Sequence, residues 1–432
     1  MSSYPLTLDY LFSLHRFGIK LGLEVITGLL QRLGNPQRSF PTLHIGGTNG
    51  KGSSAAMAAA ILRSAGYRVG LYTSPHLVDF RERIQVQGAM IGPDQVCDLT
   101  ERIRKVSDPD GSVTFFEFTT AMAFQYFADQ AVDIGVIEVG MGGRFDATNV
   151  LAPLGVLITT VAFDHEMYLG NTLDAIAREK AGILKPDIPV VLGPMPPEAS
   201  QVIRESADSL HTPRMIFGED FRVTQEADGG FGYQGPDWEW HGLRTNLLGR
   251  HQVINAANAL ALLEIAARSQ FPLTESAIRM GLQHVIWPGR LEVLSHDPLT
   301  IVDGAHNPSA GSVLFDFLES QLHDAPDRKL IMVIGMMTDK HHGGFLRLFQ
   351  RLADYLILTQ PHMARAASPE TLAAALEVGG KPPLLIANPK EALDRARSLA
   401  CPADLICVTG SLFLVGEIAE PCFSSGFPIV QV

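Results

Sequence analysis

The sequence predicts an α/β protein with two domains. Strand-like apolar runs alternate with helical stretches, the alternation restarts after a Trp-Pro-Gly-Arg turn at 287–290, and a small antiparallel excursion interrupts it at 211–247. Because strands that alternate with helices form mainly parallel sheets covered by helices, we expect an N-terminal domain over 1–287 with a mainly parallel sheet. A C-terminal Rossmann-like α/β domain is expected over 288–432.

Each element follows from a local pattern. In the first domain, short apolar runs bounded by turn residues predict buried strands at 42–46, 68–73, 133–139, 154–161 and 188–192. The segment 211–247 is rich in glycine and aromatic residues, which predicts short antiparallel strands. A helix is predicted at 251–268. Beyond the turn, the predicted strands are 299–303, 329–335, 354–359, 383–387 and 404–409, and the helices between them are 309–322, 343–352, 369–378 and 389–399.

Composition and charge exclude several function classes. The 432 residues are 46% hydrophobic and 19% charged, a mixture that can bury sizeable cores. No apolar run approaches the roughly 20 residues of a membrane helix, and a net charge of −12 disfavours non-specific binding to nucleic acid. The four cysteines lack CxxC spacing and the N-terminus lacks a signal-peptide pattern. We therefore expect a cytoplasmic protein with neither a membrane nor a nucleic-acid partner.

A glycine-rich loop at 46–53 joins a predicted strand to an alanine-rich helical stretch. Backbone N–H groups at such a helix start bind phosphate and a lysine adds positive charge, so the first domain is predicted to be of the P-loop ATPase type. The spacing departs from the common phosphate loop, because Gly52 stands between Lys51 and Ser53. The alternative is a tight turn with a solvated lysine.

Two predicted strand ends carry candidate metal ligands. Glu138 ends one apolar run and precedes a glycine-rich segment, and His165 follows another run directly after Asp164. The carboxyl ends of parallel strands face the crevice where α/β sheets bind ligands, and Mg²⁺ prefers oxygen ligands. The alternatives are a solvated acid and a turn histidine. Lys180 lies next to apolar Ala181; a buried lysine with a lowered pKa can react with CO₂, whereas a helix lysine is usually solvated.

Together these motifs resemble the folylpolyglutamate synthase/dihydrofolate synthase family, a branch of the Mur ligase-like superfamily of ATP-dependent amide ligases. The matching motifs run in the family's order at 47–53, 73–77, 80–83, 114–117, 138–149, 164–165, 169–172, 179–183, 303–308 and 409–411. A peptidoglycan Mur ligase is the alternative inside the superfamily, and the motifs around Ser74 and Phe116 favour the folate branch. A P-loop NTPase without ligase activity is the alternative outside it.

The resemblance implies a role for each matching residue. The implied ATP contacts are Asn49, Gly50, Lys51, Gly52, Ser53, Asn255, Arg290, Asp303 and His306. The implied Mg²⁺ ligands are Ser74, Glu138 and His165, with two ions and a carbamate on Lys180 that supports the metal site. The implied catalytic residues are Lys51, Glu138, His165, Lys180 and Arg290. The implied pterin contacts are Gly18, Ile19, Lys20, Thr114, Phe115, Phe116, Glu117, Phe145, Asp146 and Ala147.

The implied reaction adds L-glutamate to dihydropteroate, to reduced folate (poly)glutamates, or to both. ATP first converts the acceptor carboxylate into an acyl phosphate, which is a better acyl donor, and the glutamate amine then attacks it. The resemblance implies a monomer, and closure at Arg290 would exclude water. Two points stay open: Arg81 and Arg83 either hold an anionic substrate or pair with Glu82, and no role is assigned to the histidine pair at 341–342, for which a solvated loop is expected.

Overall fold

The structure is a computed structural model that describes residues 3–18, 22–107, 113–227 and 229–424. The predicted pterin contacts Ile19 and Lys20 lie outside the described residues. The chain forms two compact units. The first comprises the described parts of 1–162, 169–245 and 252–285, and the second comprises 163–168, 246–251 and the described part of 286–432. Both units are built on sheets covered by helices, which confirms the predicted α/β class.

The first unit contains one large sheet. Its strands are β1 (Thr42–Gly46), β2 (Val69–Tyr72), β3 (Ile84–Val86), β4 (Ala89–Met90), β5 (Ile134–Glu138), β6 (Gly155–Ile158), β7 (Val190–Leu192) and β8 (Arg214–Ile216). They lie in the order β4-β3-β2-β5-β1-β6-β7-β8, and only the hairpin β3–β4 runs antiparallel to its neighbours. Every residue of β1 and β5 is buried, because helices cover both faces of a parallel sheet.

The predicted strands of the first domain are confirmed, with one correction. The segment 211–247 was predicted to be wholly antiparallel, but β8 lies within it and runs parallel to β7 in the large sheet. The physical reason is burial, since Met215 and Ile216 are buried and extend the sheet's core. The rest of the segment forms a separate antiparallel sheet of β9 (Arg222–Gln225), β10 (Phe231–Gln234) and β11 (Glu239–Leu243).

The second unit contains a six-stranded sheet. Its strands are β12 (Glu292–His296), β13 (Leu299–Val302), β14 (Leu330–Ile334), β15 (Tyr355–Leu358), β16 (Leu384–Leu385) and β17 (Leu405–Thr409), in the order β12-β13-β17-β14-β15-β16. The five strands predicted beyond the turn are parallel, as expected. The sequence reasoning missed β12, an antiparallel edge strand directly after the turn at 287–290.

Helices connect and cover the strands. In chain order they are α1 (Tyr4–Ser13), α2 (Glu24–Arg32), α3 (Lys51–Ser64), α4 (Pro93–Val106), α5 (Phe115–Asp129), α6 (Glu166–Leu169), α7 (Leu173–Ala181), α8 (Pro197–Ser209), α9 (Arg250–Ser269), α10 (Glu275–Gln283), α11 (Pro308–His323), α12 (His342–Gln350), α13 (Pro369–Ala373), α14 (Pro389–Leu399) and α15 (Leu412–Ser424). Four short 3₁₀ helices join them at Leu14–Phe17, Pro36–Arg38, Phe80–Arg83 and Ala147–Val150. Within the described ranges, none of these helices has the length and apolar character to span a membrane.

Among the described residues of the first unit, two apolar cores surround particular helices. One core packs around α5, where Phe118, Phe124 and Phe127 are fully buried. The other packs around α7 and α8 and includes Ile176 and Ile203. Since β5 and β6 carry apolar side chains into these cores and both pair with β1, the carboxyl ends of the three strands are held in fixed register, with Ile45 beside Glu138. The loops that follow these strand ends carry the predicted site residues.

Candidate active site

The glycine-rich loop is fixed by the end of the neighbouring strand β6. Thr48 N–H donates to the Thr160 carbonyl at 2.8 Å, and Asn49 N–H donates to the Thr160 hydroxyl at 3.0 Å. The Thr159 hydroxyl donates to the Asn49 carbonyl at 2.7 Å. Gly47 has φ +138°, and a Cβ there would overlap the Thr159 hydroxyl. The loop can therefore follow this path only with glycine at 47.

The loop leads directly into α3, which begins at Lys51 after Gly50. Gly50 has φ +84°, and a Cβ on it would overlap the side-chain oxygen of Asn255, a buried residue of α9. The structure thus places Asn255, which the resemblance implies is a nucleotide contact, against the glycine loop. Gly52 and Ser53 are buried in the first turn of α3, and Lys51 Nζ donates to the Thr48 carbonyl at 3.1 Å. Backbone N–H groups at this helix start have the geometry of a phosphate site.

Lys180 reaches the same loop from α7. The side chain is buried, with the residue 3% exposed, and Nζ donates to the Gly47 carbonyl at 2.9 Å. Gly143 allows the helix to approach, because a Cβ there would lie 2.7 Å from the Glu179 carbonyl oxygen. The solvated alternative for Lys180 is therefore wrong, and its burial brings an amine to the phosphate loop.

Glu138 ends β5 next to the strand that precedes the loop. It is 5% exposed, and its Oε2 accepts a hydrogen bond from Ser74 N–H at 3.1 Å. The solvated alternative for this carboxylate is therefore wrong. Ser74 and Glu138, two of the predicted metal ligands, lie together in the first unit at the carboxyl end of the parallel strands. This is the edge of the sheet where ligands bind in α/β proteins.

The loop at 74–83 carries two arginines with different surroundings. Arg81 is partly exposed and forms a two-pronged ion pair with Asp79, with contacts of 2.6 and 3.0 Å. Arg83 is buried, donates from Nε to His76 Nδ1 at 2.7 Å and lies over the Phe115 ring. Glu82 accepts instead from backbone N–H groups of 77–79. The alternative in which Arg81 or Arg83 pairs with Glu82 is therefore wrong.

The predicted pterin residues divide into groups with different contacts. Thr114 caps α5, and the Glu117 carboxylate accepts from both the N–H and the hydroxyl of Thr114, at 2.8 and 2.7 Å. Phe115 is buried against His15, whose ring centroid lies 4.1 Å away. Phe116 is half-buried and packs over Gly140. Thr114 and Glu117 thus have structural partners, while Phe116 keeps an accessible ring.

The remaining pterin candidates differ in exposure. Asp146 is buried and accepts from Met141 N–H, Thr148 N–H and the Thr148 hydroxyl, at 2.9, 3.0 and 2.5 Å. Burial raises the pKa of Asp146, although these hydrogen bonds act in the opposite direction. Ala147 is buried and Phe145 is 41% exposed. Gly18 is exposed and has φ +64° at the end of a short 3₁₀ helix.

Two predicted site residues of the second unit, His165 and His306, lie beside Asp164. Asp164 Oδ1 lies 2.6 Å from Lys340 Nζ, and its Oδ2 accepts from Asn307 Nδ2 at 3.2 Å and lies 3.5 Å from His306 Nε2. His165, which has φ +52°, follows directly and has its Nε2 3.9 Å from the same carboxylate. The sequence reasoning named His165 and His306 but assigned no role to Asp164 or Lys340.

Arg290 and Asp303 are held near one another at the start of the second sheet. Asp303 is buried and accepts from Leu291 N–H at 2.9 Å and from Ala305 N–H at 2.8 Å. Arg290 Nη1 donates to the Gly289 carbonyl at 3.0 Å. Burial lowers the pKa of the neighbouring His251, with opposing effects from Asp303 and Arg290.

The histidines at 341 and 342 are not simply solvated. His341 Nδ1 accepts from Gly344 N–H at 3.0 Å and caps α12, and His342 Nε2 contacts the Met337 carbonyl at 2.9 Å. Their sequence-based reading as a solvated loop pair is therefore wrong in part. Among the residues that the structure describes, no cluster of three histidine, cysteine, aspartate or glutamate side chains is arranged to hold a metal ion.

The first unit therefore brings together the glycine loop, Ser74, Glu138, Lys180 and Asn255, whereas His165, Arg290, Asp303 and His306 belong to the second unit. The hydrogen bonds that join Thr159 and Thr160 to the glycine loop were not predicted from the sequence. The sequence contains a pattern that indicates these bonds. Two hydroxyl residues follow the apolar strand β6, and the neighbouring strand β1 leads into the glycine loop. The arrangement presents a phosphate loop, a strand-end carboxylate and a buried amine at one sheet edge.

Comparison with known proteins identifies relatives over nearly the full chain. The Mur ligase middle domain matches residues 45–263, and the Mur ligase glutamate ligase domain matches residues 289–412. The dihydrofolate synthase/folylpolyglutamate synthase of Bacillus subtilis (strain 168) is 34% identical over 419 residues, which cover 94% of this chain and 96% of that protein.

Two solved structures are similar in fold over the same length. The bifunctional folylpolyglutamate synthase/dihydrofolate synthase of Yersinia pestis, complexed with AMPPNP and Mn ion, has a TM-score of 0.87 and 33% identity, and 98% of each chain is covered. E. coli FolC in complex with DHPP and ADP has a TM-score of 0.87 and 31% identity, again with 98% of each chain covered. These matches confirm the resemblance found in the sequence. The chain belongs to the dihydrofolate synthase/folylpolyglutamate synthase family, the ATP-dependent glutamate ligases of the Mur ligase superfamily.

Proposed function

We propose that this enzyme adds L-glutamate both to dihydropteroate and to reduced folate (poly)glutamates, with ATP as the phosphoryl donor. The observation that carries the proposal is the placement of Lys180, whose buried Nζ lies 2.9 Å from the Gly47 carbonyl of the phosphate loop. A P-loop NTPase without ligase activity does not by itself explain a buried amine at this position. The relatives named above include a complex with AMPPNP and Mn and a complex with DHPP and ADP, which supports the nucleotide and the acceptor.

The chemistry proceeds in two balanced steps. An oxygen of the acceptor carboxylate attacks the γ-phosphorus of ATP, the bond from that phosphorus to the bridging oxygen breaks, and ADP leaves with an acyl phosphate remaining. The glutamate nitrogen then attacks the acyl carbon, the bond to the phosphate oxygen breaks, and the amine proton passes to phosphate or solvent. Negative charge gathers on oxygen throughout, so the protein supplies positioning and positive charge. The loop N–H groups and Lys51 are the proposed donors.

The residues at the strand ends fit a divalent cation of the Mg²⁺ type. Mg²⁺ is usually held by one or two carboxylates together with substrate phosphates and water, and not by a cage of protein ligands. Glu138 supplies one buried carboxylate at the edge where the phosphate loop begins. We propose that Ser74, Glu138 and His165 are ligands for two Mg²⁺ ions, which when bound would neutralise phosphate charge. We also propose that Arg290, Asp303 and His306 contact the nucleotide.

Lys180 is proposed to carry a carbamate. Its amine, when neutral, attacks CO₂ with loss of one proton, and the product is an anionic oxygen ligand in place of a cation. That change would remove a positive charge beside the metal site. Lys180→Ala should lose activity and regain part of it when a short carboxylic acid such as acetate is added. Full activity without acetate would overturn the carbamate.

One assay separates a ligase from a simple nucleotidase. ADP release is measured with dihydropteroate and glutamate together, with each alone, and with neither. Ligation predicts turnover only when both are present, and equal hydrolysis without them would overturn the proposal. Replacing dihydropteroate by tetrahydrofolate tests the second acceptor. We further propose a cytoplasmic monomer, which light scattering of the purified protein tests for its oligomeric state.

A further inference from the structure

Arg83 is a buried cation whose terminal nitrogens have no hydrogen-bond acceptor among the described residues. It is 7% exposed, and its one hydrogen bond runs from Nε to His76 Nδ1 at 2.7 Å. A guanidinium carries five N–H donors, so four remain unused. Buried arginines are usually paired, because removing a charge from water without a partner is costly. The terminal nitrogens of Arg83 are not among the buried side-chain atoms that lack a partner, so they keep contact with solvent and are open to a ligand. Burial lowers the pKa of Arg83, against the opposing effects of Tyr72, Glu138 and Glu82.

The two carboxylates in the same loop are already committed. Glu82 accepts from three backbone N–H groups at 2.6 to 2.8 Å, and Asp79 is paired with Arg81 at 2.6 Å. Neither accepts a hydrogen bond from Arg83. The ring of Phe115 lies 5.2 Å from the guanidinium carbon and covers part of it, which supplies weak attraction but accepts no N–H.

Arg83 is joined to the strand-end carboxylate by a short loop. Ser74 N–H donates to Glu138, and His76, two residues later, accepts from Arg83. Two residues span at most about 7 Å. Phe116 packs over Gly140, two residues beyond Glu138, so an aromatic surface also lies close to this end of the strand. One region of the first unit therefore contains the unused N–H donors of Arg83, the predicted metal ligand Glu138 and the accessible ring of Phe116.

We propose that Arg83 binds the carboxylate of the acceptor substrate and makes an anionic acceptor a requirement of the site, an inference that rests on the proposed function. The planar guanidinium matches a carboxylate in a two-pronged geometry, and in dihydropteroate the benzoyl ring that carries this carboxylate suits the aromatic surface. Phosphate oxygens of ATP offer the same hydrogen-bonding chemistry, so the experiment distinguishes the two sources.

The test compares a carboxylate with its amide. Affinities of pteroate and of pteroic acid amide are measured for the wild-type enzyme, Arg83→Gln and Arg81→Gln. The wild type should bind pteroate about 10- to 100-fold more tightly than the amide, the range expected for charged hydrogen bonds. Arg83→Gln should lose this preference and bind the amide as the wild type does. Arg81→Gln, whose side chain is held by Asp79, should keep the preference.

The other outcomes are decisive. If Arg83→Gln weakens both ligands equally, Arg83 only supports the loop and the proposal is overturned. If AMPPNP affinity falls while the preference for pteroate persists, the anion is phosphate and the proposal is again overturned. Should Arg83→Gln fail to fold, Arg83→Lys serves instead, with a several-fold smaller preference expected and an unchanged one excluding the role. A wild type that binds neither compound contradicts the proposed function itself.

Discussion

Asp164 Oδ1 lies 2.6 Å from Lys340 Nζ, and both side chains are 9% exposed. Burial alone would raise the pKa of Asp164, but the hydrogen bond and charge of His306, followed by the charges of His165 and Lys340, hold it well below its usual range. One carboxylate thus anchors a lysine and two histidines within the second unit. His165 and His306 are both proposed site residues, so Asp164 holds two side chains of the candidate site beside one carboxylate.

Removing the Asp164 charge should destabilise the protein strongly. In Asp164→Asn, Lys340 keeps a buried ammonium without its counter-charge, and breaking one side of a buried pair costs about 3–5 kcal/mol. The measurement is the free energy of unfolding in urea. The control is Asp394→Asn, whose partner Arg397 lies 3.5 Å away with side chains 75% and 50% exposed. That change should cost less than about 0.5 kcal/mol. Equal losses in the two variants would contradict a buried-pair role.

Local sequence patterns predicted the parts of the site that are close in the chain. The glycine loop, the strand that precedes it and the helix that follows are consecutive, so their geometry is encoded within 20 residues or so. Asp164 and Lys340 are 176 positions apart, and their contact depends on how two separate segments fold. A single sequence carries no signal for that pairing. The strand-end positions of Glu138 and His165 suggested metal binding, and the resemblance to a known family, not periodicity, favoured the functional roles of these residues and of Lys180 over the alternatives.

The errors have equally specific causes. The strand β8 was assigned to an antiparallel excursion because turn residues surround it, and its pairing with β7 depends on tertiary burial that no local pattern shows. Pairing of Arg81 or Arg83 with Glu82, one of two alternatives left open, rested on sequence proximity. In the structure, Glu82 is used by the backbone of its own loop instead. The neighbouring arginines and the backbone N–H groups of the same loop compete for the Glu82 carboxylate. In this loop the carboxylate accepts hydrogen bonds from the backbone.

Gly50→Ala should weaken nucleotide binding. Gly50 adopts φ +84°, and the added methyl group would overlap the Asn255 side chain, so the start of α3 must shift. We expect a loss of at least about tenfold in AMPPNP affinity, because displaced N–H groups no longer point at phosphate.

The matched control for this change is Gly66→Ala. Gly66 adopts a similar φ of +92°, but nothing lies within 4 Å of the added methyl group. Alanine in this backbone region costs about 1–2 kcal/mol of stability, and nucleotide affinity should stay unchanged. Equal AMPPNP affinities for the two variants would show that the contact with Asn255 does not shape the loop.

Tyr233→Phe should destabilise the first unit by about 1–3 kcal/mol. Tyr233 is buried, and its hydroxyl donates at 3.0 Å to Glu264, whose side chain is fully buried. Phenylalanine removes one hydrogen-bond donor from the buried Glu264 carboxylate. The free energy of unfolding then falls by the desolvation penalty that this hydrogen bond offset.

Tyr67→Phe is the control, because the Tyr67 hydroxyl donates to the Pro272 carbonyl at 3.0 Å in an exposed setting. There water replaces the lost donor, and a change below about 0.5 kcal/mol in unfolding free energy is expected. A larger loss for Tyr67→Phe than for Tyr233→Phe would refute this account.

His44 should make the stability of the first unit depend on pH. It is fully buried in β1 with Nε2 2.8 Å from the Thr148 hydroxyl, and burial, followed by the charge of Lys185, lowers the pKa of His44 to about 3. The unfolded chain, with an ordinary histidine pKa of about 6.5, binds a proton that the folded state rejects. The stabilising contribution of neutral His44 is therefore complete above about pH 6.5 and is lost as the pH falls toward 3.

The measurement compares the wild type with His44→Gln, since all other titrating groups are shared and cancel. Between pH 7.5 and pH 5.0, the unfolding free energy of the wild type should fall by about 2 kcal/mol more than that of the variant, because each pH unit below the unfolded pKa costs about 1.4 kcal/mol. At pH 7.5 the variant should be the less stable protein, since glutamine does not reproduce the packing of the buried ring in β1. The difference between the two should then shrink on acidification. Parallel pH profiles, or a wild type that gains stability toward pH 5, would mean that His44 is protonated in the folded protein.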